Sequence, residues 1–235
     1  MLRRLLRPRS YTGLLTILVL VIVISPVLEE IRFGSRTLEV LLAIVLLSAI
    51  RDIARDERRH LWILFIGAVA VVSRIGSAVL QPPPVWLFVV ALGSTIGFFV
   101  IAAWSISQHV FRQQRVTADT IRGAICVYLL LGLIWTMAFI GVAYFDPSTF
   151  PSLDHSAGYA GVYSTLQYFS FVTLTTLGYG DITPHGLVAR QLAMAEAIVG
   201  QLFIAVAIAW LVGMYRGRRG AEDRSREERN DGPSS

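Results

Sequence analysis

Between residues 175 and 181 the chain reads Thr-Thr-Leu-Gly-Tyr-Gly-Asp. Gly178 and Gly180 alternate with bulkier residues, and glycine enters the φ > 0 region at no steric cost. A backbone that alternates in handedness turns successive carbonyl oxygens to one side. With the Thr176 hydroxyl at one end and the Asp181 carboxylate at the other, such a row of oxygens offers a cation a replacement for its water shell. No ordinary helix accommodates this run. At membrane depth, non-helical backbone is tolerated only where it is buried in protein or lines water.

The elements around the motif are apolar. Of 235 residues, 54% are hydrophobic and 16% charged, which is too little charge for the surface of a soluble domain of this length. The apolar residues fall in long blocks, as membrane spans require. The expected spans are Tyr11 to Leu28, a weaker second one built on Leu38 to Ile50, Leu61 to Leu80, Val85 to Ser107, Gly123 to Tyr144 and Leu187 to Tyr215. Pro82, Pro83 and Pro84 break the chain between the third and fourth, because proline fixes φ and lacks the amide proton. The fold class expected is therefore an all-α membrane protein of six transmembrane helices, with the motif re-entering the membrane between the fifth and sixth.

Charge placement supports this layout. The net charge is +5, and all 21 basic residues are arginines. With the N-terminus inside, the inner segments hold Arg3, Arg4, Arg7 and Arg9, then Arg51, Arg55, Arg58 and Arg59, then Arg112, Arg115 and Arg122, and six more from Arg216 to Arg229. The outer segments hold Arg32, Arg36 and Arg190. Basic residues gather on the cytoplasmic side, so both termini are expected there, in a plasma membrane. All-arginine usage and short loops suggest a bacterial inner membrane. The basic start and first apolar run lack the small-residue site of a signal peptide. A nucleic-acid partner is excluded, because the arginines sit in clusters between apolar runs and form no basic face on a soluble fold. Cys126 is alone and apolar in setting, so no intrachain disulfide forms.

The run Thr176-Leu177-Gly178-Tyr179-Gly180-Asp181 resembles the selectivity-filter signature of potassium channels, usually Thr-Val-Gly-Tyr-Gly-Asp. Carbonyl rings that replace the hydration shell of potassium are a recognised basis of selectivity. The resemblance implies a homotetramer with potassium at the carbonyls of Thr176, Leu177, Gly178 and Tyr179, and with the Thr176 hydroxyl at the inner end. It implies Gly180 as the last filter residue, and Thr175, Tyr168 and Asp181 as filter support. Ser164 to Thr175 would be the pore helix, its C-terminal dipole favouring a cation. Tyr168 and Phe169 stand where family members often carry two tryptophans; Tyr168 can still hydrogen-bond and Phe169 cannot. Gly200, twenty residues after Gly180, matches a hinge glycine of pore-lining helices, with close helix packing as the alternative. No cofactor is implied, potassium being the permeating species.

The resemblance is firm from about Gly123 to Tyr215 and loose before it. It divides the chain into a four-helix domain (1–118) of voltage-sensor-like layout, a pore domain (119–215) and a disordered cytoplasmic tail (216–235). The fourth span departs from a voltage sensor, which needs repeated Arg or Lys: Val85 to Ser107 has none. Weak or absent voltage dependence follows. Within the spans, Arg74 is expected either to pair with Glu39 or to snorkel outward. Glu196 is expected to hydrogen-bond the pore-helix region, with proton sensing as the sharper alternative. His155 and His185 flank the pore and could titrate near neutral pH. Ala205, Ala207, Ala209 and Gly213 would line the inner end. Membrane lipid is a partner throughout, and the cluster Arg216, Arg218, Arg219 could bind anionic lipid.

Competing functions fit less well. There is no phosphate-binding Gly-x-x-x-x-Gly-Lys-[Ser/Thr] loop and no soluble domain to hold an enzyme site. Potassium uptake transporters usually carry four degenerate filter loops in one chain, and this chain has one. A non-selective channel would be expected to alter Tyr179. A modulatory subunit acting with another channel is the remaining alternative.

Overall fold

The computed structural model describes residues 11–29, 37, 40–45, 60–80, 83–113, 117–154 and 158–230. Its described elements are helical. They are α1 (Thr12–Glu29), α2 (His60–Val79), α3 (Val85–Arg112), α4 (Ala118–Phe145), a 3-10 turn (Pro147–Thr149), α5 (Gly158–Leu174) and α6 (Leu187–Asn230). Residues 40–45 are helical as well; most of the weak second span lies outside the described residues.

Helix starts and breaks follow local chemistry. Pro84 caps α3 with φ −64°, the value its ring dictates. At the start of α4, the Thr117 hydroxyl accepts from the Thr120 amide and the Thr120 hydroxyl accepts from the Thr117 amide, each at 3.2 Å. This reciprocal box satisfies two donors that a helix start leaves free. Inside α1, Pro26 cannot donate to the carbonyl four residues back. That carbonyl, of Ile22, is met instead by the Ser25 hydroxyl at 3.1 Å.

Three helices are long and apolar enough to cross a membrane: α3, α4 and the Leu187–Gly213 part of α6. The apolar stretches of α1 and α2, Thr12–Leu28 and Phe65–Ser77, are shorter. Among the described residues the structure thus supports three spans by length, where the sequence predicts six. α4 is the hub, packed against α1, α3, α5 and α6. Leu14, Leu18, Phe98, Phe99, Leu130 and Leu133 meet in its fully buried core. α5 is a 17-residue helix, at the short limit for a span, wedged between α1, α4 and α6.

The backbone of α6 continues as helix to Asn230. From Ala221 to Asn230 there is no Gly or Pro, and Glu222 with Arg226 and Arg224 with Glu228 stand four apart, a spacing that supports helix. Gly232 and Pro233 come only afterwards.

Candidate functional site

The motif leaves the C-terminal end of α5 as an extended loop folded back onto that end. The Thr176 amide donates to Thr173 O at 2.9 Å, and the amides of Leu177 and Gly178 both donate to Val172 O, at 2.9 and 3.3 Å. The Thr175 hydroxyl closes the helix end by donating to Phe171 O at 2.7 Å. The amides of Thr176, Leu177 and Gly178 are therefore spent on the helix, while among the described residues no hydrogen bond ends on the carbonyl oxygens of Leu177, Gly178 or Tyr179.

Backbone handedness alternates along the loop. Thr176, Gly178 and Gly180 have φ of +59°, +54° and +81°, and Leu177 and Tyr179 between them stay out of the positive region. A Cβ added at Gly178 or Gly180 would meet nothing within 4 Å. These glycines are needed for their conformation, not for space. Thr176 is the unforeseen member, since a β-branched residue rarely adopts positive φ and must be held there.

Both ends of the loop are tied to helices. At the outer end the Tyr168 hydroxyl donates to Asp181 Oδ2 at 2.8 Å, and the Tyr168 and Tyr179 rings lie parallel, 6.5 Å apart. Tyr168 and Asp181 thus link α5 directly to the loop. At the inner end Gln201 Nε2 donates to Thr176 Oγ1 at 3.1 Å. Sequence reasoning missed Gln201, although a carboxamide inside an apolar helix was a visible signal.

Gly200 lies against the pore helix. A Cβ there would collide with the backbone carbonyl of Leu174, a carbonyl that also accepts from the Tyr128 hydroxyl at 3.3 Å. Close packing is therefore built in at Gly200. One turn earlier, Glu196 is fully buried. Its Oε1 lies 2.6 Å from the Ser170 hydroxyl, which is also 2.8 Å from Gly132 O. Its Oε2 is buried and has no hydrogen-bond partner among the described residues. The expected bond from Glu196 to the pore helix is present.

Other expectations sort as follows. Arg74 does not snorkel: it is 2% exposed and donates to Thr95 Oγ1 at 3.1 Å and Tyr159 Oη at 2.8 Å, joining α2, α3 and the start of α5. Its expected partner Glu39 lies outside the described residues, as does His155. The His185 amide donates to Thr149 O at 2.8 Å. Ala205, Ala209 and Gly213 are exposed on α6. Ala207 instead lines an apolar cleft with Phe111, Ile121 and Phe203, because that side of α6 faces α4. Behind the pore helix, Ser25 of α1 hydrogen-bonds Gln167, a link across the sequence that nothing local announces.

A short helix packed between two long apolar helices, and ending in a loop whose carbonyls at Leu177, Gly178 and Tyr179 accept no hydrogen bond among the described residues, is consistent with a membrane protein. The family model described as "Ion channel" matches residues 148–216, which contain α5, the loop and the apolar part of α6. Protein LctB from Bacillus caldotenax is 32% identical over 114 residues, spanning 46% of this chain and 81% of that protein. The chain belongs to this ion channel family, whose members are generally not enzymes.

Proposed function

We propose that the chain is one subunit of a homotetrameric potassium-selective channel, conducting passively through a pore lined by Thr176, Leu177, Gly178, Tyr179 and Gly180. The observation that carries this reading is the alternation of positive φ at Thr176, Gly178 and Gly180. Such alternation turns successive carbonyls to one side, and among the described residues those of Leu177, Gly178 and Tyr179 accept no hydrogen bond. Carbonyl oxygens so arranged suit an ion that must shed water without a large change in free energy. One loop cannot encircle an ion, and Leu177 and Tyr179 are 55% and 67% exposed in the single chain. Four copies about an axis would cover them. Potassium ions would sit at the carbonyls of Thr176, Leu177, Gly178 and Tyr179, and no cofactor is needed.

The gate is not a conventional voltage sensor. The basic residues of α3 are confined to His109 and Arg112 in its last turn, so no charge lies within its apolar body to move with the field. Gly200 is retained as a candidate hinge. Residues 1–118 would act as a brace of voltage-sensor-like layout, and Arg216, Arg218 and Arg219 would meet anionic lipid on the cytoplasmic face of a bacterial plasma membrane. Planar-bilayer recording tests the reading. Under bi-ionic potassium and sodium, a reversal potential displaced strongly toward potassium is expected, with open probability nearly flat against voltage. A reversal at zero would reject selectivity, and a steep voltage response would reject the gating claim.

A further inference from the structure

We propose that Gln201 is a positioning residue for the innermost ion site, holding the Thr176 hydroxyl in the orientation that lets its oxygen face a dehydrated potassium ion. The proposal rests on the potassium-channel reading above and assigns to that site a residue which is not part of the filter motif.

Three observations meet at this point. Thr176 is the non-glycine residue of the loop with positive φ, at +59°, so its conformation needs outside support. The loop amides that follow it are committed to Val172 O, which fixes the backbone from the pore-helix side. The side chain is fixed from the opposite side, where Gln201 Nε2 donates to Thr176 Oγ1 at 3.1 Å. The placement of Gln201 is itself determined by its neighbour. Gly200 sits so close to the Leu174 carbonyl that a Cβ would overlap it, and this sets the height and rotation of α6 at the very next residue.

The chemistry follows from the donor inventory. A threonine hydroxyl carries one proton and two lone pairs. When the Gln201 amide donates to one lone pair, the second is left for a cation and the hydroxyl proton turns elsewhere. Without that donor, the hydroxyl rotates freely and presents its proton to the axis for part of the time, which repels the ion. The rest of the exposed stripe of α6 agrees with a special role. From Ile198 to Val212 every other residue is glycine, aliphatic or aromatic, and Gln201 is the one carboxamide. An isolated amide on a lipid-facing surface would be costly; beneath a filter it faces water and a hydroxyl.

The test compares bi-ionic potassium-to-sodium permeability ratios of the full-length chain in planar bilayers. Gln201→Met keeps the length and loses the donor. It is expected to lower the ratio roughly three- to tenfold, the worth of one hydrogen bond. Gln201→Asn keeps the amide but shortens its reach, and is the second variant should Met disturb assembly; it too is expected to lower the ratio. Leu202→Met on the same turn is the control and should leave the ratio at its wild-type value. A ratio within twofold of wild type for Gln201→Met and Gln201→Asn overturns the proposal while leaving the channel reading intact. Absence of selective current from the wild type overturns both.

Discussion

Helix α4 and the Leu187–Gly213 part of α6 flank the same loop and are matched in length and apolar content, yet one chain buries 56% of the spanning window of α4 and only 11% of that of α6. α4 meets α1, α3 and α5, and its residues Leu130, Leu133 and Met137 are wholly enclosed. α6 touches the rest of the chain along one stripe, through Gly200 on Leu174, Glu196 on Ser170 and Gln201 on Thr176. Its other faces carry Leu202, Val206 and Val212 to the surface. α4 is therefore finished by its own chain and α6 is not. A helix apolar all round must be covered by lipid or by protein, and its one fixed stripe positions the loop.

The largest effect that could break this contrast is at Gly200. Gly200→Val would push a side chain into a backbone carbonyl, which cannot swing aside as a side chain can; ordinary overpacking costs about 1–3 kcal/mol, and against this fixed carbonyl the cost exceeds that range, enough to prevent folding. Loss of folded protein is expected in size-exclusion profiles. Gly213→Ala, where a Cβ meets nothing within 4 Å, should be neutral. A normal profile for Gly200→Val would show that α6 does not depend on this approach.

Next comes a paired truncation. Leu133→Ala in α4 removes a fully buried side chain and should destabilise the chain by about 2–5 kcal/mol, read from detergent-solubilised unfolding. Leu202→Ala in α6 removes a side chain that is 59% exposed. It should leave the single-chain fold unchanged and reduce the share of assembled oligomer. Equal destabilisation by both variants would remove the distinction between the two helices.

The smallest expected effect concerns the loop's outer tie. Tyr168→Phe deletes the hydroxyl donated to Asp181 at 2.8 Å and keeps the ring beside Tyr179, a loss of about 1 kcal/mol. Currents should decline faster during sustained opening while the permeability ratio holds. A changed ratio with steady current would mean that the outer tie, and not the inner one, governs ion choice.

How much was legible in the sequence depended on how local the cause was. The loop was readable because glycine at positions 178 and 180 declares a backbone conformation by itself, and both glycines have positive φ. Thr176 was not readable as left-handed, because its conformation comes from contacts with α5 and α6. Tyr168 and Asp181, 13 residues apart, were expected to support the loop. Arg74 with Tyr159, and Ser25 with Gln167, are separated by 85 and 142 residues, and no periodicity in one sequence pairs residues at that range. In the tail, opposite charges stand four apart where α6 continues as helical backbone. Ala207 was misplaced because alternate alanines were assigned to one face, whereas a helix turns each residue by about 100°.

Potassium flux into liposomes containing only the purified protein, with sodium as the competing ion and Gly178→Asp as the control, tests the function most directly. Gly178 has φ +54°, where a residue with a Cβ is strained, and the substitution also adds charge beside the carbonyl row. Selective potassium uptake that disappears in Gly178→Asp is expected. Uptake that survives the substitution, or that admits sodium equally, would contradict a potassium-selective pore at residues 176–180.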